Sequence, residues 1–171
     1  PIHEPGLDEI LKRNVKQRRL FFTSDLKFAV NKADIIFICV GTPTKKKSNS
    51  ADLKYVFQVA KKLRKYIKKY KIIVTKSTVP VSTGDKIEKI LNSKRRKKIV
   101  DVVSNPEFLR EGEAIRDFVY PDRVVVGTNS KKANRIMKKK GRILVRKSGT
   151  EPKIRIMAES DNKSLIFKCI K

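Results

Sequence analysis

Four short runs of β-branched and apolar residues, separated by segments of helical length, constrain the fold of this chain most strongly. The runs occupy 35–40, 71–76, 99–104 and 123–127. Each is apolar at successive positions, which is typical of strands in a parallel sheet covered by helices on both faces. Alternating strands and helices predict an α/β fold, here a doubly wound parallel sheet with right-handed crossovers.

The segment between the first two runs, 51–70, has the pattern of an amphipathic helix. Ser50 is suited to cap its start, and Asp52 would lie in the first turn, where a carboxylate is favourable. Lysines occupy the opposite, solvent-facing side. The apolar residues recur at spacings of three and four, as expected for one buried stripe: Leu53, Val56, Phe57, Ala60, Leu63 and Ile67. Further helices are predicted at 24–32 and 83–92.

The net charge is strongly positive, at +26 over 171 residues. Such an excess favours partners that carry phosphate or other acidic groups, including nucleic acid. The densest basic runs, 45–47, 94–98 and 138–140, lack the interleaved aromatic residues of a single-strand binding surface. We therefore interpret most lysines as solvated helix faces. A basic nucleic-acid-binding module stays as an alternative function.

The two cysteines, Cys39 and Cys169, have no partner at metal-ligand spacing, so the sequence predicts neither a zinc site nor a disulfide framework. Cys39 lies in an apolar run, where a small buried thiol is expected. The sequence also has no apolar run of the roughly 20 residues that a membrane-spanning helix needs. We expect a cytoplasmic protein.

Three loops follow the predicted strands and have distinctive sequences, at 41–44, 77–80 and 105–112. Ligands of doubly wound sheets bind outside the carboxyl ends of the strands, which is where these loops lie. Their small residues, hydroxyls and prolines suit a rigid surface that a ligand can approach closely. Each Thr-Pro or Asn-Pro could instead simply end a strand and begin a helix. Three such loops at one edge favour a binding site.

Five motifs together resemble the UDP-glucose/GDP-mannose dehydrogenase family, and its UDP-glucose 6-dehydrogenases in particular. They are Pro-Ile-His-Glu-Pro-Gly-Leu at 1–7, Val-Gly-Thr-Pro at 40–43, Lys-Ser-Thr-Val-Pro-Val at 76–81, Ser-Asn-Pro-Glu-Phe-Leu-Arg-Glu-Gly at 104–112 and Pro-Asp-Arg-Val-Val at 121–125. The similarity extends over about 1–137. GDP-mannose dehydrogenases share much of 105–112, whereas Gly112 and 120–123 favour UDP-glucose.

The resemblance implies two NAD-dependent oxidations of UDP-glucose to UDP-glucuronate, through a thioester on a cysteine. Glu107 and Thr78 would position and activate the water that hydrolyses the thioester, with Glu107 partly shielded from solvent. Glu107 could also be an ordinary carboxylate at a helix start. The implied NAD-binding residues are Val40, Gly41, Thr42, Pro43, Thr44, Ser77, Thr78, Val79 and Glu111. The implied nucleotide-sugar-binding residues are Glu107, Phe108, Leu109, Arg110 and Glu111. No metal is implied.

The resemblance also implies a partial Rossmann-like sheet, because some family parts have no counterpart here. The first βαβ unit, with the Gly-x-Gly-x-x-Gly turn that binds the dinucleotide pyrophosphate, is expected to be missing. The catalytic cysteine and its assisting lysine, asparagine and aspartate are likewise unmatched. We therefore expect little activity from this chain alone.

The C-terminal tail, 141–171, has a different character. Its Arg-Lys-Ser-Gly-Thr-Glu-Pro segment at 146–152 resembles the phosphate-binding loop of the last domain of phosphoglucosamine mutases. That resemblance implies phosphate binding by Arg146, Ser148, Gly149 and Thr150, and it leaves a mutase-related isomerase as a further alternative. An ordinary hairpin turned at Ser148-Gly149 would also fit. We expect a fusion, a truncated reading frame or an assembly artefact, with its seam at 138–140.

Overall fold

A computed structural model of the chain describes residues 3–45, 48 and 50–140, together with the backbone of 144–146. The helices in these residues are α1 (Leu7–Lys16), α2 (Leu26–Lys32), α3 (Lys54–Tyr66), α4 (Thr83–Asn92), α5 (Ala114–Val119) and α6 (Lys131–Lys140). The strands are β1 (Ile35–Ile38), β2 (Lys71–Thr75), β3 (Val100–Ser104), β4 (Val125–Gly127) and β5 (Leu144–Arg146). They form one sheet in the order β1-β2-β3-β4-β5.

The first three strands are parallel, as the sequence predicts. β1 pairs with β2, and β2 pairs with β3 over its full length. All five residues of β2 are buried, which explains why this strand has no polar face to show in the sequence. Side chains from alternate positions enter separate cores on the two faces of the sheet, Ile73 on the side of α3 and α4, and Ile72 and Val74 on the side of α6. The doubly wound, Rossmann-like architecture is confirmed.

β4 departs from the predicted parallel arrangement because it is antiparallel to β3. The connection between these strands contains α5 but does not cross back to the amino end of β3, as a parallel pairing would need. The carboxyl ends of the parallel strands form one edge of the sheet, here called the carboxyl edge. After β3 the chain remains at this edge, and β4 runs from it toward the opposite edge. The sequence pattern could not show this, since a buried strand is apolar on both faces in either direction. β5 pairs parallel with β4 after α6.

α3 confirms the predicted apolar stripe, with Val56, Ala60 and Leu63 buried. Its predicted start was wrong, however, because Ser50 lies outside the helix and Ala51 instead pairs with Thr44 in an isolated antiparallel bridge. The carboxylate of Asp52 accepts a hydrogen bond from the backbone N of Lys54 at 2.9 Å. Asp52 therefore satisfies a free amide at the helix start, the task assigned to Ser50.

α4 has the predicted bounds, and its last residue joins it to the sheet. Asn92 Nδ2 donates to the carbonyls of Glu88 and Val100, at 3.1 and 2.9 Å. Asn92 Oδ1 accepts from the backbone N of Ile99 and of Val100, at 3.0 and 3.1 Å. One side chain thereby pairs four backbone groups at the point where the chain enters β3. α2 begins two residues later than predicted, with Asp25 as its cap in place of Ser24.

A polar cluster lies at the amino ends of the strands, here called the amino edge. Asp101, on β3, is 6 % exposed, and its Oδ2 accepts hydrogen bonds from Tyr70 Oη at 2.6 Å and Ser130 Oγ at 2.5 Å. Asp101 Oδ1 lies 3.0 Å from Lys98 Nζ, which also pairs with Glu88 at 2.9 Å. The cluster therefore links β3 with Glu88 of α4, with Tyr70 just before β2 and with Ser130 just before α6.

Among the described residues, no helix combines the length and apolar character needed to cross a membrane.

Candidate functional site

The loops after β1 and β2 contact each other at the carboxyl edge. Ser77 Oγ donates to the carbonyl of Val40 at 2.6 Å. In the reverse direction, Thr42 Oγ1 donates to the carbonyl of Thr78 at 3.2 Å. The structure thus brings together two segments, 40–44 and 77–79, that the sequence predicted to share one ligand.

The return from the first loop toward α3 is also fixed. The backbone N of Asp52 donates to the carbonyl of Pro43 at 2.7 Å, next to the bridge that Thr44 makes. Around Gly41 the backbone faces open space, because a Cβ placed there would meet nothing within 4 Å. Gly41 therefore leaves room for a ligand to reach the main chain, while Thr42, Pro43 and Thr44 are held by their neighbours.

Asn105 anchors the third loop, 105–112, called the nucleotide-sugar loop after the role that the resemblance implies for it. Its backbone N donates to the carbonyl of Thr75 at 2.9 Å, and its Nδ2 donates to the carbonyl of Val125 at 2.8 Å. Lys76 Nζ reaches Asn105 Oδ1 at 3.5 Å. Sequence reasoning included Asn105 in the loop but missed this anchoring role. An amide directly after a buried strand is the signal, since a buried amide needs partners.

Residues Glu107 to Glu111 of the nucleotide-sugar loop are exposed. Glu107 was expected to be partly shielded, and in this structure it is not. The ring of Phe108 packs under the guanidinium of Arg123 at 4.4 Å from the ring centroid. This cation–π contact attaches the loop to the Pro-Asp-Arg motif at 121–123.

Arg110 is committed to other partners in the chain. Its guanidinium contacts Asp117 at 3.1 Å through Nε and 2.8 Å through Nη2, and Nη2 also lies 2.5 Å from Glu113. The side-chain hydrogen bond from Arg110 and a second from its backbone N lower the pKa of Asp117 to about 2. The structure therefore aims the Arg110 donors at α5, whereas the sequence predicted them for the nucleotide sugar.

Cys39 is exposed, so the prediction of a buried thiol was wrong. β1 ends at Ile38, and Cys39 lies just beyond this strand, which is the outermost one of the sheet in the described residues. Desolvation raises the pKa of Cys39, Lys76 opposes the rise and Glu107 adds to it. The charges of Lys76 and Glu107 therefore both act on the Cys39 thiol.

Glu4, which sequence reasoning did not single out, holds the far end of the nucleotide-sugar loop. Its carboxylate accepts hydrogen bonds from the backbone N of Gly112 at 2.7 Å and of Ala114 at 3.1 Å. No local pattern could reveal this contact, because Gly112 and Ala114 lie more than a hundred residues from Glu4 in the sequence.

Positive charge gathers in an open cleft at the amino edge, opposite to these loops. The cleft has a volume of about 520 Å³ and is lined by Lys61, Arg64, Lys65, Ser93, Lys94 and Arg95. Arg95 donates to the carbonyls of Arg64 and Ile67 at 3.0 and 2.7 Å, which closes the end of α3. In the part of the chain that the structure describes, none of the five cations pairs with a carboxylate.

The predicted phosphate site of the C-terminal tail falls almost wholly outside the described residues. Arg146 is placed as the last residue of β5, and only its backbone is described. Ser148, Gly149 and Thr150 lie outside the described residues, as does the alternative hairpin. The seam predicted at 138–140 falls within the last turn of α6.

Comparison with known proteins accords with this geometry. Residues 1–145 match the model of the UDP-glucose/GDP-mannose dehydrogenase family, NAD binding domain. The chain belongs to this family. It is 50% identical over 129 residues to a UDP-glucose 6-dehydrogenase of Rhizobium meliloti, a match that covers 75% of this chain and 30% of that protein.

Two solved structures of the family share the fold. A UDP-glucose dehydrogenase from Pyrobaculum islandicum is 37% identical with a TM-score of 0.77, covering 85% of this chain and 36% of that one. A ternary complex of GDP-mannose dehydrogenase from Pseudomonas aeruginosa is 35% identical with a TM-score of 0.76, covering 81% and 33%. The chain thus spans about a third of its relatives' length. The mutase and nucleic-acid alternatives find no support in these comparisons.

Proposed function

We propose that this chain supplies the NAD- and nucleotide-sugar-facing surface of an oxidoreductase of the UDP-glucose 6-dehydrogenase type. The overall reaction converts UDP-glucose and two NAD into UDP-glucuronate and two NADH. One observation carries the proposal: side-chain hydrogen bonds from Ser77, Thr42 and Lys76 join all three strand-end loops into one surface. Ligands of doubly wound sheets bind at this edge.

The residues of the two strand-end loops fit one side of NAD, while the turn for its pyrophosphate is expected to be missing. Gly41 gives open access to the backbone. Thr42 donates to the Thr78 carbonyl of the second loop and Ser77 donates to the Val40 carbonyl of the first, so the two loops are held together. Val40, Gly41 and Thr42 from the first loop, with Ser77, Thr78 and Val79 from the second, would line the dinucleotide. When bound, NAD accepts hydride from the sugar carbon that is oxidised.

Thr78 and Glu107 are proposed to serve the hydrolytic step. Both side chains are exposed at the carboxyl edge, so a water molecule can reach them. The Glu107 carboxylate would take a proton from that water, while the Thr78 hydroxyl would orient it. Shielding of Glu107 would then come with ligand binding. Phe108, Leu109 and Glu111 would contact the nucleotide sugar beside it.

UDP-glucose is the proposed sugar nucleotide. The curated relative with 50% identity is named for it, and Gly112 and the 120–123 segment favour it over GDP-mannose. The cytoplasmic location expected from the sequence stays a prediction.

Calorimetric titration of the chain with NAD and with UDP-glucose tests the proposal. We expect both ligands to bind and no NADH to form, because relatives about three times longer perform the reaction. Ser77→Ala should weaken NAD binding about tenfold through loss of the Val40 bond. Ser93→Ala is the matched control, since Ser93 Oγ makes an equivalent bond to the carbonyl of Ile90 at 3.1 Å, at the amino edge.

Absence of binding by either ligand at millimolar concentration would refute the proposed surface. Equal weakening of NAD binding by both serine substitutions would show that general stability, and not the strand-end loops, determines affinity. Steady NADH formation by the chain alone would contradict the expectation that the remainder of the family's length is needed.

A further inference from the structure

The carboxylate of Glu4 links the start of the described chain to the segment that leads into α5. Oε1 accepts from Gly112 N at 2.7 Å, and Oε2 accepts from Ala114 N at 3.1 Å. Both oxygens are therefore used, and each is paired with a different backbone amide. Glu4 itself is half-buried. It is followed by Pro5 and by Gly6, the left-handed N-cap of α1, so the backbone at Glu4 has little freedom.

The two amides that Glu4 binds lie where the nucleotide-sugar loop turns into α5. Gly112 adopts φ 83, a left-handed conformation that favours glycine. The carbonyl of Arg110 accepts from the backbone N of Glu113 at 3.2 Å, which closes the turn from within. Glu4 closes it from outside. Charge-assisted bonds of this kind are stronger than neutral ones and suit a role in fixing geometry.

The nucleotide-sugar loop is thus held at both ends. Asn105 fixes its start against β2 and β4, whereas Glu4 fixes its end. The loops assigned to NAD, after β1 and β2, are joined through Ser77 and Thr42, and in the described part of the chain neither loop has a hydrogen bond to Glu4. A change at Glu4 should therefore reach the nucleotide-sugar surface and leave in place all residues assigned to NAD except Glu111, which lies in the loop itself.

We propose that Glu4 is a positioning residue for the nucleotide sugar: through Gly112 and Ala114 it sets the conformation of residues 107–111 without touching the ligand. This inference rests on the proposed function, since it assigns those residues to UDP-glucose. It predicts that affinity for UDP-glucose depends on Glu4 and that affinity for NAD does not.

The test uses Glu4→Gln in the full chain, with Glu9→Gln as the matched control. Glutamine keeps the size of the side chain but offers a single acceptor oxygen, so one of the two amides loses its partner. Glu9 is an exposed residue of α1, and its substitution removes the same charge nearby. Glu4→Asp retains the charge and shortens the reach by one methylene, which separates position from charge.

Amide hydrogen exchange measured by NMR gives the first readout. Exchange at Gly112 and Ala114 should become about tenfold faster in Glu4→Gln and in Glu4→Asp, and stay unchanged in Glu9→Gln. Unchanged exchange in the Glu4 variants would overturn the inference.

Ligand titration gives the second readout. Glu4→Gln should raise the Kd for UDP-glucose about tenfold while the Kd for NAD stays within about twofold. If both affinities fall together with the melting temperature, Glu4 merely stabilises the fold and the inference is wrong. If the unaltered chain binds no UDP-glucose, the proposed function fails, and the exchange result still decides whether Glu4 holds the loop.

Discussion

Replacing Asp101 with asparagine should destabilise the fold through one identifiable atom. Tyr70 and Ser130 both donate to Oδ2 of Asp101, whereas Lys98 faces Oδ1. An asparagine can place its single oxygen at the Oδ2 position and keep both hydroxyl bonds. Its amide group must then face the Lys98 ammonium, so that two donors oppose each other.

The magnitude follows from these contacts. Each of the two hydroxyl bonds loses the strengthening that a charged acceptor gives, about 1 kcal/mol apiece. The Lys98 side chain is 49% exposed, so its ion pair contributes no more than about 1 kcal/mol. The expected loss of unfolding free energy is therefore about 2–3 kcal/mol, which corresponds to about 5–10 °C in Tm for a chain of this size.

The pH dependence has a definite sign. Burial acts to raise the pKa of Asp101, but the hydrogen bonds from Ser130, Tyr70 and Lys98, with the Lys98 charge, lower it overall. A carboxyl with a depressed pKa in the folded state stabilises the fold above its unfolded value of about 4. The contribution is lost as pH falls through the folded-state pKa. The difference between Asp101→Asn and the unaltered chain should thus shrink at acid pH.

Urea unfolding at neutral pH and near pH 3 measures both effects. Asp34→Asn is the control because Asp34 is exposed and its side chain has no ion pair or hydrogen bond within the described part of the chain. A loss below about 0.5 kcal/mol at neutral pH, a typical effect of a surface substitution, would refute the reasoning. A difference that persists unchanged at low pH would show that shape, and not charge, accounts for it.

Two further predictions concern stability and association. Asn92→Ala should cost about 2–4 kcal/mol in urea unfolding because four backbone groups lose a partner. Asn134→Ala should cost clearly less, since its buried Oδ1 has no hydrogen-bond partner among the described residues; equal costs would contradict this reasoning. Added salt should promote self-association, measurable by light scattering, because β1 is an edge strand and screening weakens repulsion between chains of charge +26. A chain that stays monomeric at high salt would exclude pairing through that edge.

The sequence predicted those features that depend on periodicity over several residues. The buried stripe of α3, the bounds of α4 and the parallel order of the first three strands all follow from apolar spacing. Helix starts were less accurate, as Ser50 and Ser24 show, because several neighbouring residues could cap and tertiary contacts choose among them.

The candidate site shows the same division. Strand-end loops were identified because every parallel strand must end at the same edge. The antiparallel course of β4, the pairing of Arg110 with Asp117 and the contact of Glu4 with Gly112 were not identified. Each depends on which distant segment lies nearby, and local composition carries no such information. The exposure of Cys39 belongs to this class, since it reflects the outermost position of β1.

The limited pairing between β3 and β4 has a consequence for the order in which the chain unfolds. One residue pair, Ser104 with Gly127, forms the ladder there, and side chains supply the remaining links, with Asn105 donating to Val125 and Thr128 Oγ1 to the carbonyl of Val102 at 3.0 Å. A strand pairing made largely of side-chain hydrogen bonds can open while the backbone hydrogen bonds among β1, β2 and β3 remain intact. β4 would then separate before the parallel strands unfold, whereas α6 stays packed through Ala133 and Met137 on Ile72, Val74 and Val103.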